Sequence, residues 1–227
     1  LSQAQLVKMP MDVAQDGTTY EQVSGKSFKV NGALAPYCVQ GAKGKAWRLD
    51  GYSSYLQAQI DPTVLTDKKQ LTFSLWVAPE SYPMMKLDQD GEWFTTMLGN
   101  VKLDDNNTIS GDKGFAFQLG SRGSYKFICH VNKWQVKCEP KAKLSRYQWN
   151  HLVATVDGVN KKVTLYNNGE LVASKDCVKG EITPGGSTLY VGKSYVEDKV
   201  DVFYLNTYNG LLDDFEIYDG IRTDILK

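Results

Sequence analysis

The stretch Trp149–Ser174, WNHLVATVDGVNKKVTLYNNGELVAS, constrains the chain most, because it carries three strand patterns and two turn patterns without a gap. Asn168-Gly169 suits a two-residue type I′ turn, in which both central residues need φ > 0. Centring the turn there predicts Tyr166 opposite Leu171 and Leu165 opposite Val172. Asp157-Gly158 opens the earlier turn, so a strand over 149–156 returns over 162–167. Leu152, Val153 and Ala154 are apolar on both faces, as in a strand covered from two sides.

The rest of the chain repeats short strand patterns between turn clusters, with almost no 3.6-residue periodicity. Residues 6–13 offer a first strand, ended by Gln15-Asp16-Gly17. Phe28-Lys29-Val30, Tyr37-Cys38-Val39 and Ala46-Trp47-Arg48-Leu49 follow, the last closing on Asp50-Gly51. Leu56, Ala58 and Ile60 alternate with polar residues, and Leu71, Phe73, Leu75 and Val77 do so against Thr72, Ser74 and Trp76. Phe115, Phe117 and Leu119 repeat the pattern. So do Tyr125, Phe127, Cys129 and Val131 and, across a turn at Asn132-Lys133, Trp134, Val136 and Cys138. Such spacing argues for an all-β antiparallel sandwich of two sheets rather than βαβ units. A chain of 227 residues is within the range of one such domain, so residues 1–227 are expected to form a single one. Three stretches remain as loops: 79–95, 100–113 and 194–209.

Charge and cysteine usage exclude several function classes. The 26 basic and 26 acidic residues cancel, which disfavours nucleic acid or anionic lipid as a partner of the whole surface. No apolar run approaches the ~20 residues of a membrane span. The opening Leu-Ser-Gln-Ala-Gln is small and polar, as the end of a secretory signal would be. Cys38, Cys129, Cys138 and Cys177 lack the close pairs of a zinc site. The turn at Asn132-Lys133 sets Cys129 opposite Val136 and Cys138 opposite Phe127. The two thiols are then diagonal neighbours, about 7–8 Å apart by Cα, beyond comfortable disulfide reach. Four buried free thiols are the preferred reading.

Several motifs together resemble a known family. Trp149-Asn150-His151-Leu152-Val153, Tyr166-Asn167-Asn168-Gly169, Leu189-Tyr190-Val191-Gly192 and Gly210–Asp219 stand in the order of laminin-G-like, concanavalin A-like jelly rolls. Leu49-Asp50-Gly51 with Tyr55, and Phe73–Val77, are similar to that family's early strands. More narrowly, the chain resembles the module in front of the β-fructosidase domains of glycoside hydrolase family 32. The resemblance implies a non-catalytic accessory module of a secreted, periplasmic or cell-surface bacterial hydrolase. It would bind or position a fructan-type polysaccharide beside an adjoining catalytic domain. The rival expectation is a structural module that packs on that domain with no glycan site.

Each chemistry asks for its own set of residues. Concanavalin-like glycosidases need three carboxylates at alternate positions of one strand. Here the alternation puts only Asp214 and Glu216 on a shared face, so catalysis by this chain is not expected. His130 and His151 lie on separate hairpins, and His151 reads as sheet packing. Asp88–Glu92 and Asp104–Asn107 offer oxygens for calcium. However, a hard ion needs six to eight converging ligands, and turn capping by residues such as Asp50 and Asp213 is preferred. Sugar rings need exposed aromatic faces beside hydrogen-bonding groups. The expected ligand residues are therefore Trp93, Tyr82, Tyr195 and Asp90, with Tyr204, Tyr208, Glu92, Asn206 and Asn209 nearby. For Trp93 the competing role is a buried loop anchor. Trp47, Trp76, Trp134 and Trp149 read as core or sheet-packing residues.

Overall fold

A computed structural model describes residues 4–12, 17–30, 37–83, 92–103, 108–200 and 203–227, with only the backbone described for 37, 194–200 and 203–206. In chain order the first strands are β1 (Gln5–Met9), β2 (Thr18–Glu21), β3 (Lys26–Lys29), β4 (Tyr37–Gln40), β5 (Lys45–Asp50) and β6 (Leu56–Gln59). A 3-10 turn at Pro62–Leu65, capped by the Asp61 side chain, leads to β7 (Gln70–Pro79) and β8 (Phe94–Gly99). Next come β9 (Lys102–Leu103), β10 (Ile109–Ser110), β11 (Ala116–Gly120), β12 (Tyr125–Val131) and β13 (Trp134–Cys138). The chain closes with β14 (Asn150–Asp157), β15 (Lys162–Asn167), β16 (Glu170–Asp176), β17 (Thr188–Val191), β18 (Lys193–Val200), β19 (Phe203–Thr207) and β20 (Asn209–Asp219).

Two antiparallel sheets form the sandwich. One runs β16-β15-β14-β7-β20-β5-β4, with β1 also on β20, and the other β13-β12-β11-β8-β17-β6. Their inner faces are the alternating residues of the sequence: Leu71, Phe73, Leu75 and Val77 face Phe115, Phe117, Leu119 and Phe127, all buried. Phe73 links the layers, its ring 4.7 Å from Phe115 and 5.2 Å from Phe127 by centroid. Tilted aromatic pairs of this kind add about 0.5–1.5 kcal/mol each beyond the area they bury.

The meander forms as expected, with one shift. Asn168 (φ 48°) and Gly169 (φ 81°) both occupy the left-handed region, and Tyr166 pairs with Leu171. Beyond it a bulge moves the register, so Leu165 pairs with Ala173 rather than Val172. Leu152, Val153 and Ala154 are all fully buried. Cover for the outer face comes from the C-terminal segment: the Arg222 N–H donates to Thr72 Oγ1 (2.9 Å), which donates to the Gly220 carbonyl (2.8 Å).

Cys129 pairs with Val136 and Cys138 with Phe127, and all four thiols are free. Only Cys129 and Cys138 are buried; Cys38 and Cys177 are half-buried. Burial pushes the Cys138 thiol up to about 11. Trp134 departs from its pattern: it is 65% exposed although Val136 and Cys138 on the same face are buried. It lies at the hairpin tip, past the edge of the core. The stretches expected to be loops contain structure too, since 194–209 holds the β18–β19 hairpin and 100–113 the short β9–β10 pair.

Candidate functional site

One rim of the sandwich holds a cavity of about 440 Å³ where the end of β5, the end of β7, the start of β20 and the loop before β14 converge. Its lining includes Arg48, Asp50, Tyr52, Glu80, Ser81, Arg146, Tyr147 and Asn209. That volume lies within the range of small-molecule sites.

Asp50 shapes the first wall. It accepts from the N–H groups of Tyr52 (3.0 Å), Ser53 (2.8 Å) and Ser54 (2.9 Å) in an Asx turn. Burial opposes its ionisation, but the hydrogen bonds from Ser53, Ser54 and Tyr52 outweigh that and bring its pKa down to about 2. Asp50 is thus the turn cap expected of it, and its turn presents Tyr52, 44% exposed. Gly51 (φ 84°) is required there, because a Cβ would stand 2.7 Å from Asn209 Cβ. Asn209 in turn donates to Ser81 Oγ at 2.9 Å.

Across the cavity, Arg48 Nε donates to Glu80 Oε2 at 3.0 Å, so the guanidinium and the carboxylate hold each other in place. The third wall is the loop carrying Arg146 and Tyr147. The Arg146 guanidinium lies 5.7 Å from the Tyr82 ring centre and 5.9 Å from that of Tyr147. Tyr147 is 71% exposed yet has φ 59°, a left-handed conformation costing an L residue about 1–2 kcal/mol. The hydrogen bond from its N–H to the Pro79 carbonyl (2.7 Å) pins it there. Strain retained at an exposed aromatic in a pocket wall is a mark of functional positions.

The expected ligand residues fall differently. Tyr82 stands behind the wall, beneath Arg146, and its hydroxyl donates to the Leu144 carbonyl (2.7 Å), anchoring the loop. Trp93 is 5% exposed, and its backbone pairs with Ser121 through Ser121 N to Trp93 O at 2.7 Å. The ring is buried as a loop anchor and offers no stacking face, which corrects its place in the ligand set. Tyr208 is likewise fully buried, its hydroxyl donating to the Leu211 carbonyl at 3.0 Å. Asp90, Asp88 and Asp104–Asn107 lie outside the described residues, as do the side chains of Tyr195 and Tyr204; Tyr195 itself is on β18. Glu92 caps a turn, accepting from the Arg122 N–H at 2.6 Å. Sequence reasoning missed Tyr52, Tyr147, Arg48 and Arg146, which come from separated segments and show no pattern when read along the chain.

The carboxylates of the last strand are arranged otherwise than simple alternation gives. Asp214 (φ 41°) sits in a bulge, so Asp213 and Glu216, not Asp214 and Glu216, oppose Trp76 and Ser74 on the outer face. Asp214 pairs with Lys43 (3.0 Å) and Glu216 with Lys8 (3.4 Å), while Tyr218 donates to Glu216 at 2.7 Å. Among the described residues no group of His, Cys, Asp and Glu gathers as a metal site. Among them, too, no helix is long and apolar enough to cross a membrane.

A profile of the concanavalin A-like lectin/glucanases superfamily matches residues 50–224. No curated protein sequence matches the chain. Among solved structures, domain 4 of AbnA, a GH43 extracellular arabinanase from Geobacillus stearothermophilus in complex with arabinotriose, is similar with a TM-score of 0.67. Its identity is 20%, with 99% of this chain and 97% of that one covered. The binding domain of Paraclostridial Mosquitocidal Protein 1 gives a TM-score of 0.66 at 16% identity over 98% of this chain and 50% of that one. A botulinum neurotoxin type C structure, whose cell entry depends on two ganglioside molecules, gives 0.65 at 10% identity over 97% and 49%. The chain thus spans about half the length of these toxin domains. At such identities the likeness is one of fold.

Proposed function

The chain belongs to the concanavalin A-like lectin/glucanase superfamily, and from that premise we propose that it is a non-catalytic module whose rim pocket binds a saccharide. The observation that carries the reading is the pairing of exposed Tyr52 and Tyr147 with the fixed Arg48–Glu80 pair in one cavity. Sugar rings present apolar C–H patches edged by hydroxyls. Tyrosine faces suit the patches, and a guanidinium–carboxylate pair supplies donors and acceptors in fixed positions for neighbouring hydroxyls.

The ligand class we favour is a furanoside, the ring form shared by fructans and arabinans. Support comes from the sequence resemblance to fructosidase-linked modules and from the arabinotriose bound by the similar arabinanase domain. On this reading the module positions polysaccharide for an attached glycoside hydrolase outside the cell. On the same reading it does no hydrolysis itself, since the bulge at Asp214 takes Asp214 and Glu216 off a shared face and each is paired with a lysine.

Calorimetric titration of the chain with arabinotriose and with a fructan trisaccharide tests the proposal and separates the two sources. Binding of either, weakened in Tyr52→Ala, supports it. Failure of both in the wild-type chain overturns it and favours a module that only packs on its neighbour.

A further inference from the structure

Two arginines and two carboxylates line the rim pocket, and they do not pair one to one. Asp50 is taken up by its own turn, where its oxygens accept from three N–H groups and from the Ser53 hydroxyl. Glu80 accepts from Arg48, and from its Nε alone. The terminal nitrogens of Arg48 make no hydrogen bond among the described residues. Its side chain is 52% exposed against 16% for that of Glu80, so the guanidinium is the member of the pair that faces outward.

Arg146 has no acidic partner: among the described residues no carboxylate oxygen lies within 4 Å of its guanidinium. Aromatic rings place it instead, with centres at 5.7 Å (Tyr82) and 5.9 Å (Tyr147). Each ring is itself anchored, Tyr82 by its hydroxyl on the Leu144 carbonyl and Tyr147 by its N–H on the Pro79 carbonyl. Seating Arg146 there restricts a side chain rich in rotamers, and no ion pair within the fold offsets that restriction.

The rest of the molecule adds no general attraction for anions. Its 26 basic and 26 acidic residues cancel, so no long-range field draws polyanions to the surface as a whole. A preference for an anion in this cavity is therefore local, and it reads the position of one acidic group rather than the charge density of a polymer.

We propose that the rim pocket selects saccharides that carry a carboxylate, received by Arg146 and the free end of Arg48 while Tyr52 and Tyr147 take the ring faces. A guanidinium presents paired N–H donors whose spacing matches the two oxygens of a carboxylate, and such charge-assisted bonds are about twice as strong as those between neutral groups. Glu80 does not compete for that place, because it occupies only the Nε side of Arg48. The inference rests on the reading of this pocket as a saccharide site and adds the charge of its ligand: a uronate beside the furanoside, or a furanoside that is itself oxidised.

Calorimetric titration of the chain with three matched sugars tests it: arabinotriose, the same trisaccharide with its terminal primary hydroxyl oxidised to a carboxylate, and the methyl ester of that acid. The acid should bind about five- to tenfold tighter than the ester, equivalent to about 1–1.4 kcal/mol, and the preference should shrink as salt is added. Arg146→Gln should bring the ratio of acid to ester to about one. With the ester as reference, that ratio reads the charge contact whatever the substitution does to sugar binding in general. Arg146→Lys, which keeps the charge without the fork, should keep only part of the preference. Equal affinities of acid and ester for a wild-type chain that binds arabinotriose would overturn the inference and leave the saccharide site standing. So would a preference undiminished in Arg146→Gln. Failure of all three sugars and of the fructan trisaccharide would remove both.

Discussion

The imidazole of His151 lies flat on the indole of Trp76, with ring centroids 4.4 Å apart and planes 9° from parallel. Its Nε2 meets Ser74 Oγ at 2.8 Å, and burial, with Lys43 nearby, holds its pKa down to about 4. An unfolded histidine titrates near 6.5, so below that pH the unfolded chain takes up a proton that the native chain refuses. Stability contributed at neutral pH is therefore lost as pH falls from about 6.5 to about 4, and the loss levels off below. Burial holds His130 low as well, with the same sign. His151→Gln, which keeps a hydrogen-bonding group for Ser74, should be less stable than wild type at neutral pH. Its decline with acid should also be shallower, as read from urea midpoints across that window; parallel declines would place the proton elsewhere.

Asp213 carries the opposite sign. Burial first, and then the charge of Asp214, outweigh the hydrogen bond from the Lys43 N–H and raise its carboxyl to about 7. Ionisation costs the native state more than the unfolded one, so this residue lowers stability progressively as pH rises from about 4 to about 7. Asp213→Asn keeps the shape and stays neutral. It should be near neutral in effect at about pH 4 and stabilising by on the order of 2 kcal/mol at about pH 8, measured by chemical denaturation. An effect independent of pH would contradict this account.

Gly169 (φ 81°) follows Asn168 (φ 48°) in the β15–β16 turn. An added Cβ would meet only ordinary contacts there, 3.4 Å from the Lys227 carbonyl carbon, so the cost of a larger residue is conformational. Gly169→Val should destabilise by more than about 1 kcal/mol. Equal melting temperatures for wild type and Gly169→Val would contradict the turn geometry.

Trp93 is a structural residue in this account. Trp93→Ala should cost about 3–5 kcal/mol and lower the melting temperature by many degrees, whatever ligand is present. A stable Trp93→Ala protein would show that the loop does not use the ring as an anchor.

Much of the fold was legible in the sequence, because strand alternation and turn chemistry act locally. Asn168-Gly169 and Asn132-Lys133 set the pairs Tyr166–Leu171 and Cys129–Val136 before any long-range contact is known. Legibility failed wherever one residue breaks the count or lies beyond the layer. The bulge beside Leu165 and the left-handed Asp214 each change which side chains share a face. Trp134 keeps the inward alternation but stands past the core's edge. The rim pocket was the least legible feature. Arg48, Glu80, Tyr147 and Asn209 meet only because β5, β7 and β20 are neighbours and the loop before β14 folds over their ends. Loop length and aromatic content pointed to Trp93 instead, and neither reports burial.

Tyr147 tests the central claim most directly, because its backbone and side chain pull in opposite directions. Glycine adopts φ 59° without the cost borne by tyrosine, so Tyr147→Gly should hold or raise the melting temperature. The same change removes a stacking face from the pocket. Calorimetric titration with whichever furanoside trisaccharide binds wild type should show affinity reduced at least about tenfold in the variant, or about 1.4 kcal/mol. Undiminished affinity in a folded Tyr147→Gly protein would contradict the assignment of the rim pocket as the saccharide site.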